Sequence, residues 1–469
     1  MLPDNVLLEI FDFYREDLKC HVPIHPLFPS PWKWKALTQV CRRWRSVIFG
    51  SPRRLDLRVV CTEMTPARTS LDIWPPFPVT ATYSSVLAED EKGVENIIAA
   101  IEHHDRISQI HIDEIKGSAL DKLADAMREP LPNLTHLYLM STDEWVKPLP
   151  ETFLGGSAPP LQVFTLWGIP FPTFPRFILS ATHLVYLGLY DIPSWFPFPE
   201  EMATCLAALP CLEGLSIGSR HPQPYPLRLG LPPPTRLVLP ALTYFHLGGI
   251  SMYFEQLIAQ VDTPVLSMVT VTFFTDTVFG DIPQLRDFLG CVQRPKPIDQ
   301  ANMKFGEREI GIVLGCLESP TAFRLEFMCK APDWEDWGLS PVTQLFRERL
   351  PLLSRVEELG MEVCEDSPWV DDMWRYYSGM DTSQWLRLFH LFVAVRTLFV
   401  FKRLVPLVES ALQELVGART MEVLPALREL FLEGLQSSGP IPKGIDSFLD
   451  ARELAGHPVE IYAWVPSRT

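Results

Sequence analysis

The sequence predicts an α/β solenoid of about a dozen irregular strand–helix units, preceded by a small helical module. Three observations predict it. An apolar-x-x-apolar-x-apolar frame returns along most of the 469 residues. A helix-patterned segment follows most copies of that frame. The first 60 residues carry a charge balance and a helical spacing of their own.

At the N-terminus, Asp4 suits a helix cap, and Leu7, Ile10, Phe11 and Tyr14 follow it at helical spacing, so an amphipathic helix is predicted over residues 4 to 17. Residues 32 to 49 repeat the logic. Trp34, Leu37, Val40, Cys41, Trp44, Val47 and Ile48 share one predicted face, while Arg42, Arg43 and Arg45 take the other. Two such helices bury too little apolar surface to stand alone, so a partner chain or the adjoining units must complete their core. Ten Lys and Arg against six Asp and Glu make residues 1 to 60 net basic within a chain of formal charge −16. Residues 61 to 90, with Pro75, Pro76 and Pro78, read as a proline-rich connecting segment.

The repeating region is predicted over residues 91 to 469. Its clearest frames begin at Leu134, Leu212 and Leu427, each two residues after a proline (Pro132, Pro210, Pro425). With looser copies, the first apolar position falls at 107, 134, 161, 184, 212, 242, 266, 298, 322, 356, 395 and 427. The mean spacing of about 29 residues lies at the upper end of the leucine-rich-repeat range. Helices are predicted at Ala119–Met127, Glu200–Ala208, Phe254–Val261, Pro283–Val292, Val342–Leu353, Ser383–Val393 and Val405–Val416. The 45 prolines cluster between the frames and punctuate loops. The position three residues after the last frame leucine departs from the leucine-rich-repeat pattern. Ile115, Ile169, Ile192, Ile250 and Leu435 stand where Asn or Cys is usual, and only Cys364 fits, so the turns must satisfy their backbone groups otherwise.

Side chains alternate along a strand, so Leu137 and Leu139 are expected in the core and His136, Tyr138 and Met140 outside it. The outward residues Tyr138, Trp167, Tyr186, Tyr190, Tyr244 and His246 then line a concave face. They are the candidate partner-binding set, because exposed aromatic side chains are enriched where proteins meet. Loops lying over them are the alternative.

Leu2-Pro3, Leu7, Ile10-Phe11 and later Val40-Cys41-Arg42-Arg43-Trp44-Arg45, with Pro52 closing the segment, resemble an F-box. Asn5 stands where that pattern usually has an acidic residue, and Cys20 to Trp32 lengthen its middle. Ser70 to Pro78 and Gly456 to Ile461 extend the likeness toward fungal-type F-box and leucine-rich-repeat proteins. The resemblance implies that residues 1 to 60 dock a Skp-type adaptor of a cullin-based ubiquitin ligase through Leu2, Pro3, Leu7, Ile10, Phe11, Val40, Cys41 and Trp44. It implies that the repeats select a substrate protein. The alternative reading makes Leu7, Ile10, Phe11 and Trp44 the core of a helical cap, in a protein-binding scaffold unconnected with ubiquitination.

The search for catalytic chemistry yields no supported constellation, and a non-enzyme without metal or cofactor is expected. Gly214-Leu215-Ser216-Ile217-Gly218 matches the nucleophile-elbow pattern, but Ser216 is expected mid-strand, whereas the elbow needs a sharp strand-to-helix turn. Cys20, His21, His25 and Cys41 lack zinc-site spacing, with Cys41 expected on the apolar helix face. Glu365, Asp366, Asp371 and Asp372, like Glu89-Asp90-Glu91, read as solvated loop. Neither a phosphate loop nor an H-E-x-x-H motif occurs.

The charge of −16 and pI near 5.2 argue against nucleic acid as the partner. The most apolar stretch, Trp385 to Phe401, carries Arg387, His390 and Arg396, so no membrane segment is expected. The nine scattered cysteines, including Cys205, Cys316 and Cys364 inside apolar runs, suit a reducing compartment, cytoplasm or nucleus. No secretory signal is read at the first residues, so the Asn133-Leu134-Thr135 sequon has no expected consequence.

Overall fold

The computed structural model describes residues 2–16, 37, 39–50, 57–62, 67–73, 76–85, 91–143, 145–192, 198–219, 236–249, 252–274, 282–291, 299–306, 309–315, 324–330, 339–349, 352–363, 381–415, 419–435 and 440–465. The chain forms two compact units, Met1–Leu212 and Glu213–Thr469. Each is mixed α/β, built on a mostly parallel sheet.

The first unit opens with α1 (Asp4–Glu16) and α2 (Arg42–Phe49). The continuous helix expected over 32 to 49 is interrupted. Cys41 has extended backbone (φ −159°, ψ 167°), and its thiol accepts the Trp44 N–H, so α2 starts only at Arg42. Cys41 is thus an exposed cap, not part of an apolar face. Among the described residues, six parallel strands follow: β1 (Leu57–Val60), β2 (Val79–Ser84), β3 (Ile107–Asp113), β4 (His136–Met140), β5 (Val163–Trp167) and β6 (Tyr186–Tyr190). Each pairs with the next in chain order. Residues 61 to 90, read as a connection, contain the helix Ala67–Ile73 and the strand β2. Both faces of β2 are buried, and the Thr82 hydroxyl is satisfied by the Val59 carbonyl at 3.3 Å.

The alternation predicted for β4 is present: Leu137 and Leu139 are buried, and His136, Tyr138 and Met140 are half-buried. On the core side, Phe153, Phe164, Phe171, Phe174 and Phe177 pack ring against ring, with centroids 5.1 to 6.5 Å apart. Burying a phenylalanine contributes about 1.5–3 kcal/mol, so this cluster is a principal source of cohesion between β5 and the helix Phe174–Ile178.

The apolar residues at the turn position are core residues. Ile115, Ile169 and Ile192 are buried and Leu435 half-buried, while Ile250 and Cys364 lie outside the described residues. The polar duties pass to neighbours: the Ser141 hydroxyl donates to the Ile115 carbonyl at 2.7 Å. Helix N-termini, whose first N–H groups lack intrahelical acceptors, are capped by residues from other elements. Asn96 Oδ1 accepts from Ala67 N, Asp143 Oδ2 from Gly117 N, Gln384 Oε1 from Leu339 N and Glu409 Oε1 from Gly444 N. Glu255 accepts from both Gln284 and Leu285.

The second unit holds β7 (Gly214–Gly218), β8 (Leu237–Val238), β9 (Tyr244–Gly248), β10 (Val261–Asp262), β11 (Met268–Phe274), β12 (Gln300–Phe305), β13 (Glu309–Gly315), β14 (Arg324–Lys330), β15 (Glu358–Val363), β16 (Thr397–Val400), β17 (Glu429–Glu433) and β18 (Glu460–Trp464). The main sheet runs β7-β9-β11-β14-β13-β12-β15-β16-β17-β18, and β8 pairs with β10 apart from it. The units starting at 298 and 322 are therefore not neighbours in chain order. Antiparallel β13 lies between β14 and β12, which places β14 beside β11 and β12 beside β15. The predicted helices occur at Gly117–Ala126, Pro199–Ala207, Met252–Gln260, Pro283–Cys291, Leu339–Gln344, Thr382–Phe389 and Val405–Gln413. Among the described residues, no helix is long and apolar enough to cross a membrane.

Candidate functional site

In the N-terminal module the eight motif residues divide into two sets. Leu7 and Phe11, one turn apart on α1, are buried, and so are Val47 and Ile48 of α2. Phe11 meets the half-buried Trp44 edge to face, with ring centroids 4.8 Å apart. Leu2, Ile10 and Val40 stay 51%, 45% and 59% exposed, and Pro3 and Cys41 are exposed with them. Arg43 holds the chain before α1 in place: its guanidinium pairs with Asp4 at 2.7 Å and donates to the Leu2 carbonyl. Among its described residues the module thus keeps Leu7, Phe11, Val47 and Ile48 inside and leaves three large aliphatic side chains outside, beside charged ones such as Glu9 and Arg45.

The sheet face of the first unit carries four of the six predicted aromatic residues. Cross-strand register aligns His136, Val163 and Tyr186 in one row; His111, Tyr138, Thr165 and Gly188 in the next; Met140, Trp167 and Tyr190 in the third. Tyr138 stacks on His111 at 4.4 Å, and Trp167 on Tyr190 at 4.8 Å. The Tyr186 and Tyr190 hydroxyls meet at 3.1 Å across Gly188. A side chain at Gly188 would come within 3.1 Å of Tyr190 and Thr165, so its absence lets the two tyrosines lean together. Burial, with Asp113, Tyr190 and Glu114 nearby, pushes the Tyr138 phenol well above its usual range, so it stays a neutral donor. All four predicted residues, Tyr138, Trp167, Tyr186 and Tyr190, are half-buried. Trp145, in the loop after β4, is the most exposed aromatic described (87%), and sequence alternation could not have marked it.

Tyr244 and His246 belong to the second unit. His246 is engaged: its Nδ1 lies 2.6 Å from the Ser216 hydroxyl and its Nε2 3.2 Å from that of Thr272. Ser216 is fully buried in the middle of β7, without the strand-to-helix turn of a nucleophile elbow. The chain Ser216–His246–Thr272 is a polar tie across β7, β9 and β11.

A further aromatic row lies on β16, β17 and β18. Phe399 stacks on Phe431 at 4.7 Å and Phe431 on Tyr462 at 4.9 Å, while Trp464 packs against Phe399 and Phe401. The alternation that marked Tyr138 also marks Phe399 and Phe431, as the residues between Leu398 and Val400 and between Leu430 and Leu432.

Among the described residues, no group of three or more His, Cys, Asp or Glu could hold a metal ion. Cys20, His21, His25, Glu365, Asp366, Asp371, Asp372, Glu89 and Asp90, like Cys316, lie outside the described residues. Burial pushes the Cys61 and Cys329 thiols up to about 12, which makes them unreactive core groups. No protein-family model matches the sequence, and no curated protein matches it either.

Proposed function

We propose that the chain is the substrate-recognition subunit of a cullin-based ubiquitin ligase. Residues 1 to 60 dock a Skp-type adaptor as an F-box does, and a leucine-rich-repeat-like solenoid binds the substrate protein. The observation that carries the reading is the division of the N-terminal motif. Leu7 and Phe11 close the helical pair from within, so Leu2, Ile10 and Val40 are not needed there and remain outside. A cap that only covered repeats would bury its large aliphatic residues against them.

The substrate-binding part rests on the rows of half-buried aromatic residues on the sheet face, since such residues anchor protein interfaces. No chemistry of the chain's own is required, because a receptor acts by holding two proteins together. The second reading, a scaffold unconnected with ubiquitination, draws on the same aromatic faces and keeps α1 and α2 as a cap.

Co-purification of the full chain with a Skp-type adaptor separates the two. The receptor reading expects co-elution that Ile10→Asp abolishes while the variant keeps its thermal melting profile. Elution apart by the unaltered chain leaves the scaffold.

A further inference from the structure

We infer that the sheet face formed by β15 to β18 is a docking site for an arginine-bearing, extended segment of a partner protein. The inference deepens the receptor reading and rests on the part of it in which a sheet face receives a partner, not on adaptor docking.

Register lays this face out as three rows. The first holds Glu358, Thr397, Glu429 and Glu460. The middle row holds Gly360, Phe399, Phe431 and Tyr462. The third contains Glu433 paired with Trp464, and Glu362 on β15. An aromatic strip is thus edged on both sides by carboxylates. Glu362 is matched by Lys304 at 3.0 Å. Among the described residues no cation pairs with Glu429 or Glu460, which stand directly opposite one another on neighbouring strands. Like charges in that position oppose strand pairing. The only hydrogen bonds described to their side chains come from the neutral hydroxyls of Thr397 and Tyr462. A cation bridging the two carboxylates removes the repulsion, so the surface is electrostatically incomplete alone.

The aromatic strip selects the kind of cation. The Phe399, Phe431 and Tyr462 rings lie within about 20° of parallel with their neighbours, and the Tyr462 end of the row is 39% exposed. A guanidinium stacks flat on such a ring while its N–H edge reaches a carboxylate. A lysine ammonium is a point charge and uses only the carboxylates. Phe431 is stacked on both sides, by Phe399 and Tyr462, so the ring face open to a guanidinium is the outer one of Tyr462 on the last strand of the sheet, and an extended segment that lays one arginine there brings its N–H edge to Glu460 and Glu429.

The experiment uses the full chain and a fluorescein-labelled seven-residue peptide alternating glycine and arginine, followed by fluorescence anisotropy. Lysine and citrulline versions of the peptide serve as comparators. The arginine peptide is expected to bind and the citrulline peptide not to bind. Tyr462→Ala and Glu460→Gln, both at exposed positions on β18, are each expected to weaken binding by about tenfold or more. A control pair, Glu91→Gln with Glu102→Gln in the first unit, lowers the net negative charge without touching the face and is expected to leave binding unchanged. No binding, equal binding of the citrulline peptide, or weakening by the control pair as large as that by Glu460→Gln overturns the inference. The adaptor co-elution is read on the same preparation, so loss of the peptide site and loss of adaptor docking appear as separate results.

Discussion

The carboxylate of Glu255 accepts the backbone N–H of Leu285 at 3.0 Å, so one helix of the second unit supplies the cap that the next helix lacks. Glu255 is buried, and desolvation lifts its pKa more than the Gln284 and Leu285 N–H groups lower it. A carboxyl whose folded pKa is raised contributes stability that is fully present below its unfolded pKa and lost as pH rises through the folded value. Glu255→Gln removes that titration. Relative to the variant, the unaltered chain is expected to be more stable near pH 4 than at pH 7, as read by chemical denaturation. An equal difference at both pH values would contradict it. Glu255→Ala leaves both N–H groups without their acceptor, and is expected to cost about 1–3 kcal/mol at pH 7.

Inside the N-terminal module, the proposed receptor role expects stability and docking to separate by position. Leu7→Ala removes a buried side chain and is expected to destabilise by about 2–5 kcal/mol. Val40→Asp changes an exposed one and is expected to leave thermal unfolding within about 0.5 kcal/mol. Adaptor co-elution is the measurement it should change. A large loss of stability from Val40→Asp would mean that Val40 is packed in solution.

Gly168 occupies a left-handed conformation (φ +68°), and a Cβ there would lie 2.1 Å from the Ser141 carbonyl oxygen. Neither backbone group can yield without breaking the turn after β5. Gly168→Ala is expected to destabilise by about 2 kcal/mol or more, measured by chemical denaturation. A melting curve indistinguishable from the parent would refute the geometry.

Arg452 is fully buried, and its guanidinium donates to the Pro425 and Leu427 carbonyls at 3.3 and 2.9 Å. Burial lowers its pKa. Arg452→Met keeps the packing volume but strands those carbonyls, and an expected loss of about 1–3 kcal/mol should appear in denaturant titration. Unchanged stability would show that water replaces the guanidinium.

Thiol accessibility gives an independent check on the burial pattern. Maleimide labelling of the native chain at neutral pH should modify the exposed Cys41 and Cys211 and spare Cys61 and Cys329 until denaturant is added, as read by peptide mass mapping. Equal labelling of all four in the native chain would place the latter pair at the surface.

The frame positions were legible because a strand begins at or near each of them: frames at 134, 161, 184, 212 and 242 lead to strands that start at His136, Val163, Tyr186, Gly214 and Tyr244. Pairing order was not legible between 298 and 322, because β12 and β14 present the same apolar alternation and only β13 decides their neighbours. Strand β2 escaped notice because Thr80, Thr82 and Ser84 disguise a fully buried segment. The division of the module's eight residues into interior and exterior was not legible, since helical spacing alone does not say which edge of an apolar stripe faces water. Phe399 and Phe431 could have been found by the alternation already applied to Tyr138 and Trp167.

The reversal around β13 also limits how such a chain can change in length. Where neighbouring strands are consecutive, one strand–helix unit can be duplicated or deleted and the flanking edges still match. Between β11 and β15 they do not: removing β12 or β14 alone would leave β13 with one edge open and reverse the direction of the next pairing. Strands β12, β13 and β14 are therefore one three-strand block of the sheet, which a change in strand number would have to add or remove together.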